Sequence, residues 1–158
     1  MAKEIERKFL VDKKAWRQAK DNIVRSYVMT QGYLSKAPTH NVRVRVYPHK
    51  AELTIKGKMV GITRPEFNYE IPVSDGDELL KMCDTTVKKT RHFIQIGDHT
   101  WTVDEFFGVN KGLLLAEIEL SAENEKFELP GWISMEVTYD RRYTNAYLTA
   151  HKVAHSPS

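Results

Sequence analysis

Residues 3–10 have the sequence KEIERKFL, in which polar and apolar residues alternate. Alternation with a period of two predicts a β-strand, because successive side chains of a strand point to opposite faces of the sheet. Glu4, Glu6 and Lys8 therefore share one face, and Ile5 and Phe9 share the other. This stretch predicts a strand with a strongly charged face, and the same pattern recurs along the chain.

Eight further segments alternate in the same way, and three segments have helical spacing. Many short strands with few helices favour an antiparallel β-barrel with attached helices, although periodicity alone leaves a β-sandwich as an alternative. The further predicted strands are Ser26–Leu34, Asn41–Pro48, Ala51–Lys58, Thr63–Pro72, Val87–Ile96, His99–Phe106, Leu113–Leu120 and Ser134–Tyr139. The predicted helices are Asp12–Asn22, Ser74–Thr85 and Tyr143–Val153. Asp12 is expected to cap the first helix. Leu79, Leu80, Met82 and Cys83 are expected on the buried side of the second.

The charged faces of these strands are the most informative feature of the sequence. A solvent-exposed face explains any one strand, but Arg43 and Arg45, or Glu117 and Glu119, place like charges two residues apart. Like charges on neighbouring positions of a sheet are unfavourable unless an opposite charge lies between them. We therefore expect an inverted barrel with a wet, charged interior and an apolar outer surface that is covered by helices.

The residue types on these faces fit a metal ion and a phosphate chain. Mg²⁺ takes oxygen ligands, commonly one or two carboxylates with water and substrate phosphate oxygens, and Glu4/Glu6 and Glu117/Glu119 supply two carboxylate pairs. Guanidinium groups bind phosphate oxygens in a bidentate fork, and ammonium groups bind them as point charges. The candidate phosphate ligands are Arg43, Arg45, Lys56, Arg64, Lys89 and Arg91, with Lys8 beside the first carboxylate pair.

Length and composition restrict the alternatives. The 158 residues fit a single domain over residues 1–158, and the net charge is only +3. One cysteine, Cys83, excludes an internal disulfide and a multi-cysteine zinc site. The chain has no Walker-type glycine-rich loop, no apolar run of membrane-spanning length and no basic surface interleaved with aromatic residues. We expect a cytoplasmic protein that binds neither a membrane nor a nucleic acid.

The chain resembles the CYTH superfamily, the triphosphate tunnel metalloenzymes, and specifically its small bacterial members. The motifs that carry the resemblance are Glu4-Ile5-Glu6-Arg7-Lys8, Gln31-Gly32-Tyr33-Leu34, Val42-Arg43-Val44-Arg45, Thr54-Ile55-Lys56-Gly57, Lys89-Thr90-Arg91, Leu115-Ala116-Glu117-Ile118-Glu119-Leu120 and Glu136-Val137-Thr138 through Arg142-Tyr143. The resemblance implies a β-dominated α+β fold, with a closed eight-stranded antiparallel β-barrel that forms a tunnel and a few flanking helices.

The resemblance also implies roles for individual residues and a dependence on Mg²⁺ or Mn²⁺. Glu4, Glu6, Glu117 and Glu119 would be metal ligands, and Lys8, Arg43, Arg45, Lys56, Lys89 and Arg91 would be catalytic residues that bind the triphosphate, together with Arg64 and Arg142. Tunnel-lining positions of less defined role are Glu66, Asn68, Glu70, Asp104 and Glu136. Many relatives have Glu where this chain has Asn68, which puts a water-positioning or second-metal role there in doubt.

The implied activity is hydrolysis of a triphosphate, with inorganic tripolyphosphate cleaved to pyrophosphate and phosphate as the first expectation. The alternatives are a class IV-type adenylyl cyclase that makes cyclic AMP from ATP, a thiamine or nucleoside triphosphatase, and a non-catalytic polyphosphate-binding module. The expected partner is a small-molecule triphosphate or polyphosphate, and a homodimer is an open alternative to a monomer.

Overall fold

The computed structural model describes residues 3–153, which form nine β-strands, three α-helices and three short 3-10 turns. The strands are β1 Lys3–Val11, β2 Ile23–Lys36, β3 His40–Val46, β4 Ala51–Gly57, β5 Thr63–Ile71, β6 Thr86–Ile96, β7 His99–Phe106, β8 Leu114–Glu119 and β9 Ile133–Glu136. The helices are α1 Lys13–Ala19, α2 Val73–Lys81 and α3 Asn145–Ala150. No helix among residues 3–153 is long and apolar enough to cross a membrane.

Eight of the strands close into an antiparallel barrel. The sheet order is β5-β4-β3-β2-β6-β7-β8-β1, and a further pairing of β1 with β5 joins the two ends. Strand β1 makes this closure by pairing with β5 along one edge, over Lys3–Ile5, and with β8 along the other, over Glu6–Leu10. The predicted closed eight-stranded barrel is therefore confirmed, and a sandwich is excluded.

The ninth strand is a side branch rather than part of the barrel wall. Strand β9 pairs with β1 at Phe9 and Val11, further along β1 than the residues Lys3–Ile5 that pair with β5. It is four residues long and ends at Glu136. The alternation of polar and apolar residues predicted a strand over Ser134–Tyr139, but the observed strand ends at Glu136. Thr138, Asp140 and Arg142 therefore do not lie on its face.

The largest apolar cluster lies outside the barrel, as an inverted barrel requires. Ile5 and Phe9 of β1 and Trp101 of β7 are buried, and Trp16 of α1 and Trp132 cover them. The side chain of Asp12 accepts a hydrogen bond from the Ala15 backbone at 2.9 Å, which is the predicted cap of this helix. Burial of this cluster fixes which face of each strand points inward.

A second apolar cluster lies inside one end of the barrel, which corrects the expectation of a charged interior throughout. Val87, Phe106 and Leu115 share strand faces with charged inward residues, and they are buried against Leu148 of α3. Helix α3 is shorter than the predicted Tyr143–Val153, because a 3-10 turn over Arg141–Tyr143 precedes it. The charged passage is thus closed off by apolar packing at this end.

Helix α2 packs closely on the barrel wall. A Cβ atom on Gly76 would lie 2.6 Å from the Cβ of Ala51, so only glycine permits this approach. The helix begins at Val73 after Pro72 and ends at Lys81, whereas Ser74–Thr85 was predicted. Met82, which was predicted on the buried side, is 70% exposed because the helix has already ended.

Candidate active site

Two adjoining cavities occupy the barrel interior and bring most of the predicted site residues together. The first cavity, of about 450 Å³, is lined by Glu4, Glu6, Arg43, Arg45, Lys56, Glu66, Asn68, Arg91, Glu117 and Glu119 among the predicted residues. The second cavity, of about 440 Å³, is lined by Glu6, Lys8, Lys56 and Arg64 among them. Glu6, Lys56 and Asn145 line both cavities and so mark their junction.

Two inward arginines on β3 are buried and form no ion pair with another residue of the described range 3–153. Arg43 is 6% exposed and Arg45 is 4% exposed, and neither has a carboxylate within 4.0 Å among residues 3–153. Within the described part of the chain, Arg43 donates only to the Thr54 hydroxyl at 3.4 Å, and its Nε atom is buried without a hydrogen-bond partner. Buried cations require compensation, so this part of the first cavity is built to receive an anion.

The environment of Arg45 leads to the same conclusion. Its Nε donates to Gln31 Oε1 at 2.8 Å, which fixes the direction of the guanidinium group. Burial lowers the pKa of Arg45, and the nearby positive charges of Arg43 and Arg91 lower it further. An anion between these three groups would relieve that repulsion.

Carboxylates from β1 and β5 meet in the same cavity as these arginines. Lys56 Nζ lies 2.9 Å from Glu4 Oε2 and 3.4 Å from Glu66 Oε2. Burial and the charge of Glu6 raise the pKa of Glu4 to about 8. Burial alone would also raise the pKa of Glu66, but the hydrogen bond from Glu4 and the charge of Lys56 outweigh it and lower that pKa to about 2. Burial therefore makes ionisation of Glu4 less favourable than that of Glu66, although both carboxyls contact the Lys56 ammonium.

A second acidic group lies around Lys8. Its Nζ is 3.8 Å from Glu6 Oε1 and 3.8 Å from Glu117 Oε1. Burial raises the pKa of Glu6, and the neighbouring Glu117 raises it further. Glu117 is held ionised at a pKa of about 2, because Lys8 and Arg91 outweigh the effect of burial. Glu119 is the most exposed of the predicted ligands, and burial together with Glu66 raises its pKa.

These carboxylates fit a divalent cation. The carboxyls of Glu4, Glu6, Glu66 and Glu117 lie around two lysines, Lys8 and Lys56, and their mutual repulsion contributes to the raised pKa values of Glu4 and Glu6. Within residues 3–153, no three metal-ligating side chains converge on one point. A hard cation needs only one or two carboxylates when phosphate oxygens and water complete its shell, so the arrangement suits a metal that binds together with its substrate.

Lys89 and Asp104 lie behind the cavity wall rather than in it. Lys89 is 0% exposed, lines neither cavity, and contacts Asp104 Oδ2 at 2.6 Å. Asp104 also accepts from Arg91 at 2.8 and 2.9 Å, which makes a bidentate pair. Arg91 reaches the first cavity and lies 4.0 Å from Glu117. Burial opposes ionisation of Asp104, but Arg91 and Lys89 hold its pKa well below the usual range.

Besides Lys89 and Asp104, three predicted residues line neither cavity. Glu136 is on the outer surface, where its carboxylate binds the Arg7 guanidinium at 2.6 Å. Arg142 pairs with Asp140 at 2.6 Å in the turn before α3. Glu70 is exposed at the end of β5 and does not line either cavity. Alternation along a strand did not place these residues correctly for two reasons. Glu136 lies on β9, which is not a strand of the barrel wall, and Arg142 lies beyond the end of that strand.

The interior also contains polar residues that take part in the hydrogen bonds of the site but were not predicted as metal or phosphate ligands. Thr54 is 1% exposed and donates to Asn68 Oδ1 at 2.7 Å, and Asn68 Nδ2 in turn donates to Glu66 at 2.8 Å. Gln31, in the second motif, is fully buried. Asn145 enters from helix α3, so no period-two pattern could have found it.

Comparison with known proteins agrees with this geometry. The family model described as the CYTH domain matches residues 2–146. An inorganic triphosphatase of Acetivibrio thermocellus is 45% identical over 150 residues, which are 94% of each chain. An inorganic triphosphatase of Nitrosomonas europaea is 32% identical over 92% of this chain and 95% of its own.

A solved structure extends the likeness to three dimensions. The crystal structure of an inorganic triphosphatase has a TM-score of 0.66 and 30% identity, and the match covers 94% of this chain and 95% of that one. The closed barrel, its charged interior and the match over nearly the whole sequence lead to one assignment: the chain belongs to the CYTH domain family.

Proposed function

We propose that this protein hydrolyses inorganic triphosphate to pyrophosphate and phosphate with the help of Mg²⁺ or Mn²⁺. The observation that carries the proposal is the pair of buried arginines, Arg43 and Arg45, that have no carboxylate partner among residues 3–153. The curated relatives from Acetivibrio thermocellus and Nitrosomonas europaea, both inorganic triphosphatases, support the same substrate.

The basic residues bind and orient the phosphate chain. Arg43, Arg45 and Arg91 line the first cavity and present guanidinium groups whose fork matches phosphate oxygens. Because Gln31 holds Arg45 and Asp104 holds Arg91, both groups are positioned before the substrate arrives. Such preorganised positive charge stabilises the negative charge that is spread over the oxygens during phosphoryl transfer.

The carboxylates form the metal-binding side of the passage. Glu4, Glu6 and Glu117 would hold the cation, with Glu119 and Glu66 at the margin. When bound, a divalent cation neutralises phosphate charge and lowers the pKa of a coordinated water. Lys8 and Lys56 contact these carboxylates and line the second cavity, so each can exchange its ion pair with glutamate for one with phosphate.

A product assay tests the reaction. The purified protein is incubated with Mg²⁺ and either tripolyphosphate or ATP, and orthophosphate and cyclic AMP are both measured. We expect orthophosphate from tripolyphosphate, whereas cyclic AMP from ATP would establish the cyclase alternative. Tight tripolyphosphate binding without any product, with either Mg²⁺ or Mn²⁺ present, would identify a non-catalytic binding module.

A substitution connects that activity to the buried arginines. Arg43→Ala should lower kcat/KM for tripolyphosphate by about 100-fold, the effect of losing one or two charge-assisted hydrogen bonds. Arg17→Ala removes an exposed arginine from α1 and is the matched control, which should keep wild-type activity. Equal activity of the Arg43 and Arg17 variants would contradict the proposal.

A further inference from the structure

A chain of hydrogen bonds runs behind the cavity wall and ends at a helix residue in the passage. Arg45 Nε donates to Gln31 Oε1 at 2.8 Å, and Gln31 Nε2 donates to Asn145 Oδ1 at 3.1 Å. From the other side, Lys89 Nζ donates to the same Asn145 oxygen at 2.9 Å. Gln31 and Lys89 are both 0% exposed, so these bonds are protected from water.

The groups at the two ends determine the direction of every bond in this chain. Arginine has no acceptor, so Gln31 must turn its oxygen toward Arg45 and its NH₂ toward Asn145. Asn145 must then turn its oxygen toward Gln31. The orientation of both amides is therefore dictated by the network, which removes the usual ambiguity between amide oxygen and nitrogen.

Lys89 gives the same orientation independently. Its Nζ contacts two acceptors, Asp104 Oδ2 at 2.6 Å and Asn145 Oδ1 at 2.9 Å. An ammonium group can only donate, and even a neutral amine has two N–H groups for these two oxygens. The oxygen of Asn145 consequently faces the wall, and its NH₂ group faces away from it.

That NH₂ group points to a place where phosphate is expected. Asn145 lines both cavities and is one of three residues at their junction. Its Nδ2 atom has no hydrogen-bond partner within the part of the chain that the structure describes. We propose that Asn145 is a further triphosphate-binding residue, which donates its amide hydrogens to a phosphate oxygen at the junction, and that Gln31 and Lys89 are positioning residues.

The proposal rests on the proposed function for the identity of the ligand, but its geometry comes from helix α3. Thr144 caps the helix by accepting from Tyr147 N at 3.2 Å, and the Thr149 hydroxyl donates to the Asn145 carbonyl at 2.7 Å. Leu148, on the same helix, is fully buried in the apolar cluster at the end of the barrel. The backbone of Asn145 is therefore fixed, and its amide reaches the passage from a rigid support.

Two substitutions at this position separate binding from positioning. Asn145→Asp keeps an oxygen for Lys89 and Gln31 but replaces the amide donor with a second, negatively charged oxygen. Asn145→Ala removes both functions. Aspartate is also favourable in the first turn of a helix, so Asn145→Asp is expected to fold.

Tripolyphosphate binding is measured by isothermal titration calorimetry in EDTA, which excludes turnover and metal. We expect Kd to rise by about 10-fold in Asn145→Ala and by about 100-fold in Asn145→Asp, because the second change adds repulsion to the loss of a donor. The thermal midpoint of Asn145→Asp should be at or above that of Asn145→Ala. Wild-type affinity in Asn145→Asp with weaker binding in Asn145→Ala would mean a positioning role only, and would overturn the proposal.

Asn22→Asp is the matched control for charge. Asn22 is exposed and lines neither cavity, and the substitution adds the same negative charge. Its Kd should change by less than about 3-fold, since water and salt screen a charge that is distant from the ligand. A loss in Asn22→Asp as large as that in Asn145→Asp would reduce the effect to general electrostatics and overturn the proposal.

The hydrolytic activity of the wild-type protein is measured separately, so that failure of the inference can be distinguished from failure of the proposed function. If it binds tripolyphosphate with the expected order of variants but releases no phosphate, the inference stands and the proposed hydrolysis fails. If it hydrolyses tripolyphosphate and Asn145→Asp binds like wild type, the inference alone fails. Absence of wild-type binding in EDTA would overturn the inference, whereas the proposed hydrolysis is decided by the product assay with Mg²⁺.

Discussion

Lys89 and Asp104 show how single residues support this site without touching the cavities. Both side chains are almost fully buried, and Asp104 holds the Lys89 ammonium and the Arg91 guanidinium at the same time. The sequence placed Lys89 and Arg91 together on one face of a strand, but the structure separates their environments. Arg91 reaches the first cavity, whereas Lys89 is enclosed by the wall.

Asp104→Asn should destabilise the protein because it leaves a buried lysine without its counter-charge. Loss of one partner of a buried pair costs about 3 kcal/mol of unfolding free energy. Glu78→Gln is the control, since Glu78 forms an exposed pair with Lys81 and its loss should cost less than about 0.5 kcal/mol. Urea denaturation measures both values, and equal stability of the two variants would show that the buried pair contributes nothing.

The irregular segment 120–132 is the element that covers the outer apolar cluster. Phe127 packs on Trp101 with ring centroids 5.8 Å apart, and the Arg7 guanidinium lies 5.0 Å from the Phe127 ring centroid. The Glu125 carboxylate accepts a hydrogen bond from Ser121 N, within the segment, at 2.6 Å. It also pairs with His99 Nε2 of β7, which attaches the segment to the barrel. Trp132 packs on Trp101 from the same segment, and Glu123 accepts a hydrogen bond from the Thr63 hydroxyl at 2.7 Å, so aromatic packing and carboxylate contacts together hold the segment.

Acid should weaken this attachment over a defined range of pH. Hydrogen bonds from Ser121 and His99 lower the pKa of Glu125 from 4.5 to about 2. A carboxyl whose pKa is depressed by folding stabilises the native state above its unfolded value, and that contribution is lost as the pH falls from about 4.5 to about 2.

An NMR titration of the Glu125 carboxyl carbon measures this directly. We expect a midpoint near the folded value, and Glu125→Gln should remove this part of the acid dependence of stability. A midpoint close to 4.5 in the wild-type protein would contradict the hydrogen-bonded geometry.

The whole molecule depends on one short seam to remain a closed barrel. Strands β1 and β5 pair over Lys3↔Pro65, Glu4↔Arg64 and Ile5↔Thr63, and Pro65 has no N–H to donate. By contrast β1 and β8 pair over five residues, Glu6 to Leu10. Across the seam, Lys56 of β4 binds Glu4 of β1 at 2.9 Å, so the ion pairs of the interior help to close the barrel.

Hydrogen exchange should therefore identify this seam as the weakest part of the barrel wall. Amides of Lys3–Ile5 are expected to exchange at least about 10-fold faster than those of Arg7 and Phe9, because local opening requires fewer hydrogen bonds to break. Saturating tripolyphosphate should slow the seam amides, since a ligand that binds only the closed barrel stabilises it by about 2.7 kcal/mol at 100 times its Kd. Uniform exchange along β1 would contradict this prediction.

Much of this architecture could be predicted from the sequence, because successive side chains of a barrel strand alternate between the interior and the outer surface. Alternation along the strands assigned Ile5 and Phe9 to the apolar face, and Glu4, Arg43 and Glu117 to the charged faces, and the structure agrees. The element ends were less accurate. Helix α2 stops at Lys81 and exposes Met82, and β9 stops at Glu136, because capping and pairing partners end an element where periodicity does not.

By itself, the sequence determined that charged residues face inward on nearly every strand, since alternation is a local property of the backbone. Only the tertiary structure decided which of these charges meet a ligand. Arg45 is left without a counter-ion, Lys89 is neutralised by Asp104, and Glu136 is carried to the outer surface, although all three lie in motifs of the same kind. The physical reason is that charge compensation depends on neighbours from other strands and from helix α3, and those neighbours are fixed only when the barrel closes.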